Sequence, residues 1–501
     1  MNILTAQQVR EWDQYTMEHE PVSSVDLMER AAKKCTEWIL LQFSPGTHFN
    51  IFCGKGNNGG DGMAIARMLL QNGFPVSVYV FENGKRASTD FQLNLAKLQA
   101  VTTDIFLLES GEHFPALSSS DIIIDALFGT GLHHPLEGLA SEIVKHINKT
   151  NALVISIDMP SGMFADRTSL GYVKVKADHT LTFQTYKTGL LLQENGPYTG
   201  HVHLIDIGLH PGFISETPVD HFYVVDRLAR TIYNPRKEFA HKGNFGHAMI
   251  IAGSYGKIGA AVLAAKACIH TGAGLLTCYL PGCGYEIMQI SLPEAMVMTD
   301  ENENILSQLP GDIEKYHAIG IGPGIGTADD TQNLISFICR RYRKPLVIDA
   351  DGLNCLSLQK DLLHQLPPYS ILTPHPKEFD RLFGEHHSDF DRKDTALKKS
   401  KEHSIIIVLK GHRSLITTPE GLSFFNSTGN AGMAKGGSGD VLTGMITSLL
   451  AQQYPPARAA ILGVYLHGLA GDFAAHKFSR EAMTPTGMIG CLSEAFLQLK
   501  G

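Results

Sequence analysis

The chain has 501 residues, too many for one ordinary core, so two or three domains are expected. A hydrophobic content of 44% with 18% charged residues is that of a soluble globular protein. A formal net charge of −8 without any basic run argues against nucleic acid or an anionic membrane as the main partner.

The opening segment, residues 1–13, carries charge where a signal peptide would hold an apolar core. No apolar run approaches the ~20 residues of a membrane-spanning helix. Eight cysteines without a CxxC pair read as buried free thiols, and a cytoplasmic protein is expected.

Phe49-Asn-Ile-Phe-Cys53 predicts a short buried strand. It runs into the cluster Gly54-Lys-Gly-Asn-Asn-Gly-Gly-Asp-Gly62, followed by a helical stretch over 63–70. Free N–H groups and the helix dipole favour an anion at such a helix start. Gly54-Lys-Gly-Asn-Asn-Gly59 also satisfies the GxGxxG pattern of dinucleotide dehydrogenases, with Glu82 at the end of the next strand for a ribose hydroxyl. Asn57, Asn58 and Asp61 depart from a plain pyrophosphate turn, which needs small residues more than carboxamides.

Further strands are predicted at 75–81, 104–108, 121–127 and 153–158. Their Val/Ile/Leu runs are continuous, as in strands covered on both faces, and their alternation with helices makes a doubly wound parallel sheet. Ligands in such sheets sit beyond the carboxyl ends of the strands. The cluster at 57–61, Asp125 with Phe128-Gly-Thr-Gly-Leu132, and Asp158 with Met159-Pro-Ser-Gly162 should therefore meet at one crevice. Oxygens of Asn58, Asp125 and Ser161 would make a hard-oxygen cation site. Taken singly, each acid serves a cap or turn equally well.

Around 209–236 the pattern lapses into turn-rich sequence such as Leu209-His-Pro-Gly212 and Tyr233-Asn-Pro-Arg236. A boundary near 215–222 follows, with expected domains of 1–218 and 219–501.

A second α/β series has predicted strands at 247–253, 317–324, 345–351, 371–373 and 404–410. It ends in helices that begin at the turn Gly436-Gly-Ser-Gly-Asp440. No GxxxxGK[ST] motif occurs. The glycine turn can present N–H groups to a phosphoryl group, while Asp440 at the helix start takes a proton from an attacking hydroxyl. Helix capping accounts for the aspartate but not for three glycines. Lys410-Gly-His-Arg-Ser414 offers charge and backbone to a nucleotide phosphate. His375 sits in a rigid Pro-His-Pro turn, although a lone histidine is more often structural than catalytic. Asp349-Ala-Asp-Gly-Leu-Asn354 suits magnesium placement or a strand-end turn equally.

Leu27-Met-Glu-Arg-Ala-Ala32, the GNNGGDG run at 56–62, Gly129-Thr-Gly-Leu132 with Pro135-Leu-Glu-Gly138, and Asp158-Met-Pro-Ser-Gly162 together resemble the NAD(P)H-hydrate epimerases. The resemblance implies a Rossmann-like domain that interconverts the R and S forms of hydrated NADH and NADPH at C6. It implies that Asn57, Asn58, Gly59, Gly60 and Asp61, with Gly129, Thr130, Gly131, Leu132, His133, His134 and Pro135, line the hydrated nucleotide. Asn58, Asp125 and Ser161 would hold potassium, and Asp158 would contact the substrate as an acid–base group. His133 and His134 stand where the family often has a basic residue.

From about 222 onward, His241-Lys-Gly-Asn-Phe-Gly-His247, Gly322-Pro-Gly-Ile-Gly326, Thr373-Pro-His-Pro-Lys-Glu378 and Gly429-Asn-Ala-Gly-Met-Ala-Lys-Gly-Gly-Ser-Gly-Asp440 are similar to the ADP- or ATP-dependent NAD(P)H-hydrate dehydratases. Those enzymes have a ribokinase-like α/β fold. Ala260, Gly324, His375 and Asp440 would contact the S hydrate, and Lys410, Gly411, His412, Arg413, Ser414 and Gly439 the adenine nucleotide. Ala431 replaces a common proline, a change expected to be mild. The pair of domains looks like the bifunctional bacterial repair enzymes, which implies ADP or ATP as co-substrate with magnesium, and a homo-oligomer.

Two other readings compete. A ribokinase-like vitamin or sugar kinase would leave a stable phosphorylated product, and its first half would be a non-catalytic Rossmann-like binding module like that of eukaryotic mRNA-decapping scaffolds. A dinucleotide dehydrogenase is weaker, because hydride transfer needs no Gly-Gly-Ser-Gly-Asp phosphoryl site.

Overall fold

The apolar runs at 49–53, 122–126 and 153–157 become buried strands in the computed structural model, which describes residues 1–501 apart from 83, 85, 112, 113, 309, 310 and 501, whereas the run at 105–108 forms an edge strand with Phe106 and Leu107 exposed. Two compact units are present. One comprises Asn2–Val219 with Ser388–Phe390, the other Met1, Asp220–His387 and the chain from Asp391 onward.

In the first unit, β1 (Phe49–Cys53), β2 (Val76–Phe81), β3 (Ile105–Leu108), β4 (Ile122–Ala126), β5 (Leu153–Ile157), β6 (His179–Phe183) and β7 (His201–Ile205) form one sheet. Its order is β3-β2-β1-β4-β5-β6-β7 and every pairing is parallel. The order reverses between β1 and β4, so a crevice opens beyond the ends of those strands. Side chains alternate between two cores: Ile122 and Ile124 of β4 enter one, Ile123 the other. β6 and β7 were not predicted. His-Thr-Leu-Thr-Phe and His-Val-His-Leu-Ile lack the continuous apolar run of the other strands, and β7 lies at the sheet edge.

Helices α1 (Ala6–His19) and α2 (Ser24–Gln42) precede the sheet, and α3 (Asn57–Gln71) follows β1. Helix α3 begins inside the glycine cluster, six residues earlier than the predicted stretch. The cause is close packing. A Cβ on Gly59 would lie 1.7 Å from the Gly54 carbonyl oxygen, and one on Gly62 would lie 2.7 Å from Cys53 Sγ and Ala126 Cβ. These glycines seat the helix on the sheet. Gly56, with nothing within 4 Å of its Cβ position, leaves room for a ligand.

The second unit holds β8 (His221–Val224), β9 (His247–Ile251), β10 (Leu275–Leu280), β11 (Met296–Thr299), β12 (Ala318–Ile321), β13 (Leu346–Ile348), β14 (Ile371–Leu372), β15 (Ile406–Leu409), β16 (Leu415–Thr417) and β17 (Ser423–Asn426). Their order is β11-β10-β9-β12-β13-β14-β15-β16-β17-β8, antiparallel only at β15/β16 and β16/β17. Strand β8 falls in the segment expected to lack strands; its partner β17 lies far along the chain, beyond any local pattern. The helix Ser438–Ala451 packs tightly on the helix Ile258–His270, where a Cβ on Gly444 would meet the Ala264 carbonyl at 2.0 Å. No helix among the described residues is long and apolar enough to cross a membrane.

Candidate active sites

A cavity of about 770 Å³ opens at the strand-order reversal of the first unit. Asn57, Asn58, Asp61, Gly129, Thr130, Gly131, Leu132 and Asp158 line it, so three turns distant in sequence meet there. Asp158 follows β5 with φ 64°, a left-handed conformation that costs a non-glycine residue roughly 1–3 kcal/mol. That backbone aims its carboxyl at two partners. Lys187 Nζ donates to Oδ1 at 2.6 Å and the Thr130 N–H donates to Oδ2 at 3.2 Å. Lys187 is wholly buried, and its remaining donors go to Thr182 Oγ1 at 2.9 Å and the Phe183 carbonyl at 3.0 Å. All three ammonium protons are thus used.

Beneath the cavity Asp125 is fully buried. It accepts from Ser161 Oγ at 2.5 Å, Ser156 Oγ at 2.7 Å, Ser161 N at 2.8 Å and Leu127 N at 3.3 Å. Burial pushes its pKa up, and these hydrogen bonds, not a cationic side chain, pull it back. Asn58 Nδ2 is buried without a hydrogen-bond partner. The donor set matches a hard cation in kind, because carboxyl, hydroxyl and amide oxygens are its preferred ligands and no cationic side chain hydrogen-bonds to Asp125. Gly59 and Gly60 are buried in the helix, while His133 and His134 are exposed; none of them, nor Pro135, lines the cavity.

In the second unit Asp349, at the end of β13, is 1% exposed and accepts from Lys410 Nζ and Thr443 Oγ1, each at 2.8 Å. It therefore clamps the end of β15 to the helix Ser438–Ala451. Gly437, just before that helix, has φ 99° and gives the turn its left-handed bend. Asp440 lies in the first helical turn, and no hydrogen bond from a described residue reaches its carboxyl. Burial raises its pKa to about 7, Asp349 and Asp351 reinforce the rise, and Lys410 opposes it. Lys410 Nζ lies 3.3 Å from where a Gly439 Cβ would sit. Gly324 and Ala260 meet, a Cβ on the first being 3.2 Å from that of the second.

His375 caps the helix Pro376–Phe383. Its Nδ1 accepts from Lys377 N and Glu378 N, and Glu378 Oε2 accepts from its backbone N–H at 2.8 Å. In the turn after β15, Arg413 donates to the Ser427 carbonyl and Ser414 Oγ to the Gly411 carbonyl. Burial lowers the pKa of His412.

Two families match. The one described as YjeF-related protein N-terminus covers residues 24–189, and NAD(P)H-hydrate dehydratase covers 248–493. The bifunctional NAD(P)H-hydrate repair enzyme of Moorella thermoacetica is 34% identical, with 96% of this chain and 94% of that protein covered. The chain belongs to the bifunctional NAD(P)H-hydrate repair enzymes. The Escherichia coli repair enzyme is 31% identical over 93% of this chain and 88% of its own. A ribokinase-like superfamily protein from Enterococcus faecalis aligns with a TM-score of 0.50 at 28% identity, covering 56% of this chain and 96% of that one.

For a repair enzyme of this family the structure adds side chains that sequence reading passed over. Lys187 follows an unpredicted strand, so nothing in its neighbourhood pointed to Asp158. Thr443 has the look of an ordinary helix residue. Asp13 and Arg10, on α1, line the cavity together with Arg86. Helix α1 precedes the whole sheet and carries no glycine motif; its amphipathic spacing was the available signal.

Proposed function

We infer that the chain repairs hydrated NADH and NADPH, the first unit interconverting the R and S hydrates at C6 and the second dehydrating the S hydrate at the expense of ADP or ATP. One observation carries the reading: Asp440, with a pKa of about 7, stands at a glycine-bent helix start beside Lys410. A carboxyl that ionises near neutral pH is matched to proton removal from an alcohol.

Asp440 takes the C6 hydroxyl proton, and the freed oxygen attacks the terminal phosphoryl group. Lys410 and N–H groups at the helix start offset the negative charge that develops. The C6–O bond then breaks with its electron pair leaving on phosphate, C5 gives up its proton to water, and the C5–H pair forms the double bond that restores the dihydronicotinamide. The products are NAD(P)H, AMP and phosphate when ADP is used. Magnesium supplies charge neutralisation on the phosphates. Asp349 is engaged by Lys410 and Thr443, and the magnesium would arrive on the phosphates of the nucleotide. Ala260, Gly324 and His375 would border the hydrate, and Gly411, His412, Arg413, Ser414 and Gly439 the nucleotide.

In the first unit Asp158, held by Lys187, would act on the C6 hydroxyl. Asn57, Asn58, Asp61 and Gly129 to Leu132 would surround the nucleotide, with Arg10 and Arg86 as the cations for its phosphates in place of His133 and His134. Asn58, Asp125 and Ser161 would hold potassium, whose charge offsets the buried Asp125. The reading includes a cytoplasmic homo-oligomer, which light scattering on the purified chain tests.

The deciding experiment supplies purified protein with mixed NADH hydrate epimers and ADP or ATP, and follows near-ultraviolet absorbance. Full recovery of NADH requires both activities. A plateau at the S fraction removes the epimerase, and a persistent phosphorylated alcohol would make the second unit a kinase.

A further inference from the structure

Asp13 lines the same cavity as Asp158 but is absent from every motif considered above. Its placement is rigid. On α1 the neighbouring Trp12 is 6% exposed and donates Nε1–H to the His210 carbonyl at 2.8 Å, while Val9 and Thr16 are buried one turn to either side. A structural reason for an acid here is missing. Asp13 lies in the middle of the helix, not in its first turn, where aspartate has only modest helix propensity. No hydrogen bond from a described residue reaches its carboxyl.

We propose that Asp13 is the second acid–base group of the epimerase, donating a proton to the ring nitrogen N1 while Asp158 accepts the proton of the C6 hydroxyl. The proposal rests on reading the first unit as an epimerase. In the forward step the hydroxyl O–H bond breaks, its proton goes to Asp158, and the oxygen electron pair forms a C6 carbonyl. The C6–N1 bond breaks, its electron pair goes to N1, and N1 takes the Asp13 proton. Rotation about C5–C6 presents the other carbonyl face, and the reverse steps close the opposite epimer. No co-reactant is consumed.

Two carboxyls can share this work only when their surroundings separate them. Asp158 is ion-paired to Lys187 at 2.6 Å, which places a cation beside the carboxyl that is to accept the proton. Asp13 has no such partner, and burial together with repulsion from Asp158 lifts its pKa to about 7, against the pull of Lys187. It therefore carries a proton up to neutral pH and can release it. The third acid of the cavity, Asp61, differs. Burial and the charges of Asp158, Asp13 and Asp90 push its pKa up. The remaining charged groups lining the cavity are Arg10 on α1 itself, Lys55, which is paired with Glu82, and Arg86.

The test uses the full chain carrying Asp13→Asn and pure R hydrate without nucleotide, with epimers separated by chromatography across a pH series. The expected result is a kcat lower by about 10²-fold with KM within about threefold, and loss of the alkaline fall in kcat expected of wild type above pH ~7. Asp13→Glu should restore that fall and part of the rate. Dehydration of pure S hydrate with ADP should stay at the wild-type rate in both variants. A kcat within about twofold of wild type overturns the proposal, and so does a lowered kcat that keeps the wild-type alkaline fall. Failure of the wild-type chain itself to epimerise would instead overturn the reading of the whole first unit.

Discussion

Both sites contain a lysine–aspartate pair, wholly buried at Lys187 and partly exposed at Lys410, and the pair does opposite work in each. In the first unit Lys187 binds Asp158, the acid proposed to act on substrate, at 2.6 Å. In the second, Lys410 binds Asp349 at 2.8 Å, and Asp440 is left without a direct partner and with a pKa of about 7. An ammonium set against a carboxyl favours its anion, and Asp440 has none in direct contact. The first site sets its ammonium on the acid proposed to act, while the second sets it on a neighbour and leaves its acid titrating near neutral pH.

The sharpest way to break this contrast is Asp440→Asn. Dehydration of S hydrate should fall by about 10³-fold while epimerisation is unchanged, read by NADH absorbance and by chromatography of the epimers. Equal losses in both assays would mean the two sites are not distinct in function.

Lys187→Met should cost about 10²-fold in epimerisation. It should also lower the melting temperature, because an uncompensated buried Asp158 costs about 3–5 kcal/mol. Adding Asp158→Asn should recover much of the stability and none of the activity.

A pH series sharpens the other half of the comparison. Asp440 acts as a base when ionised, so kcat/KM for dehydration should rise about tenfold per pH unit up to ~7 and level off above it. Lys410 favours the anion, so Lys410→Met should move that limb to higher pH. An unmoved limb would separate Lys410 from Asp440.

The smallest effect belongs to Gly437→Ala. A side chain at φ 99° costs about 1–2 kcal/mol, and the new Cβ would press on Leu263 Cδ1 at 2.6 Å. Thermal melting should register it, together with a modest rise in KM for ADP.

Much of this was legible because the relevant information is local. Strands β1, β2, β4, β5, β9 and β15 are runs of apolar residues, and the acid at 440 stands among glycines within five positions. What escaped depends on distance. Strand β8 exists because β17 offers it an edge. Lys187 matters because a strained residue 29 positions earlier turns toward it. Gly59 and Gly60 read as ligand-facing, yet a side chain on them would strike the Gly54 carbonyl and Met28 Sδ, so their smallness serves the packing of α3, which only its three-dimensional neighbours reveal.

The pairing of β8 with β17 constrains how the protein is made. His221 Nδ1 and Ser423 Oγ are 2.7 Å apart across 202 residues of sequence. A ribosome must therefore release more than four-fifths of the chain before β17 can be bordered by β8. Loop closure over such a span is slow compared with local pairing. Until then the nascent second unit presents an open row of backbone donors and acceptors, the state in which strand edges recruit neighbouring chains. Chaperone demand during synthesis should thus concentrate on this late interval, after the first unit's sheet has already emerged.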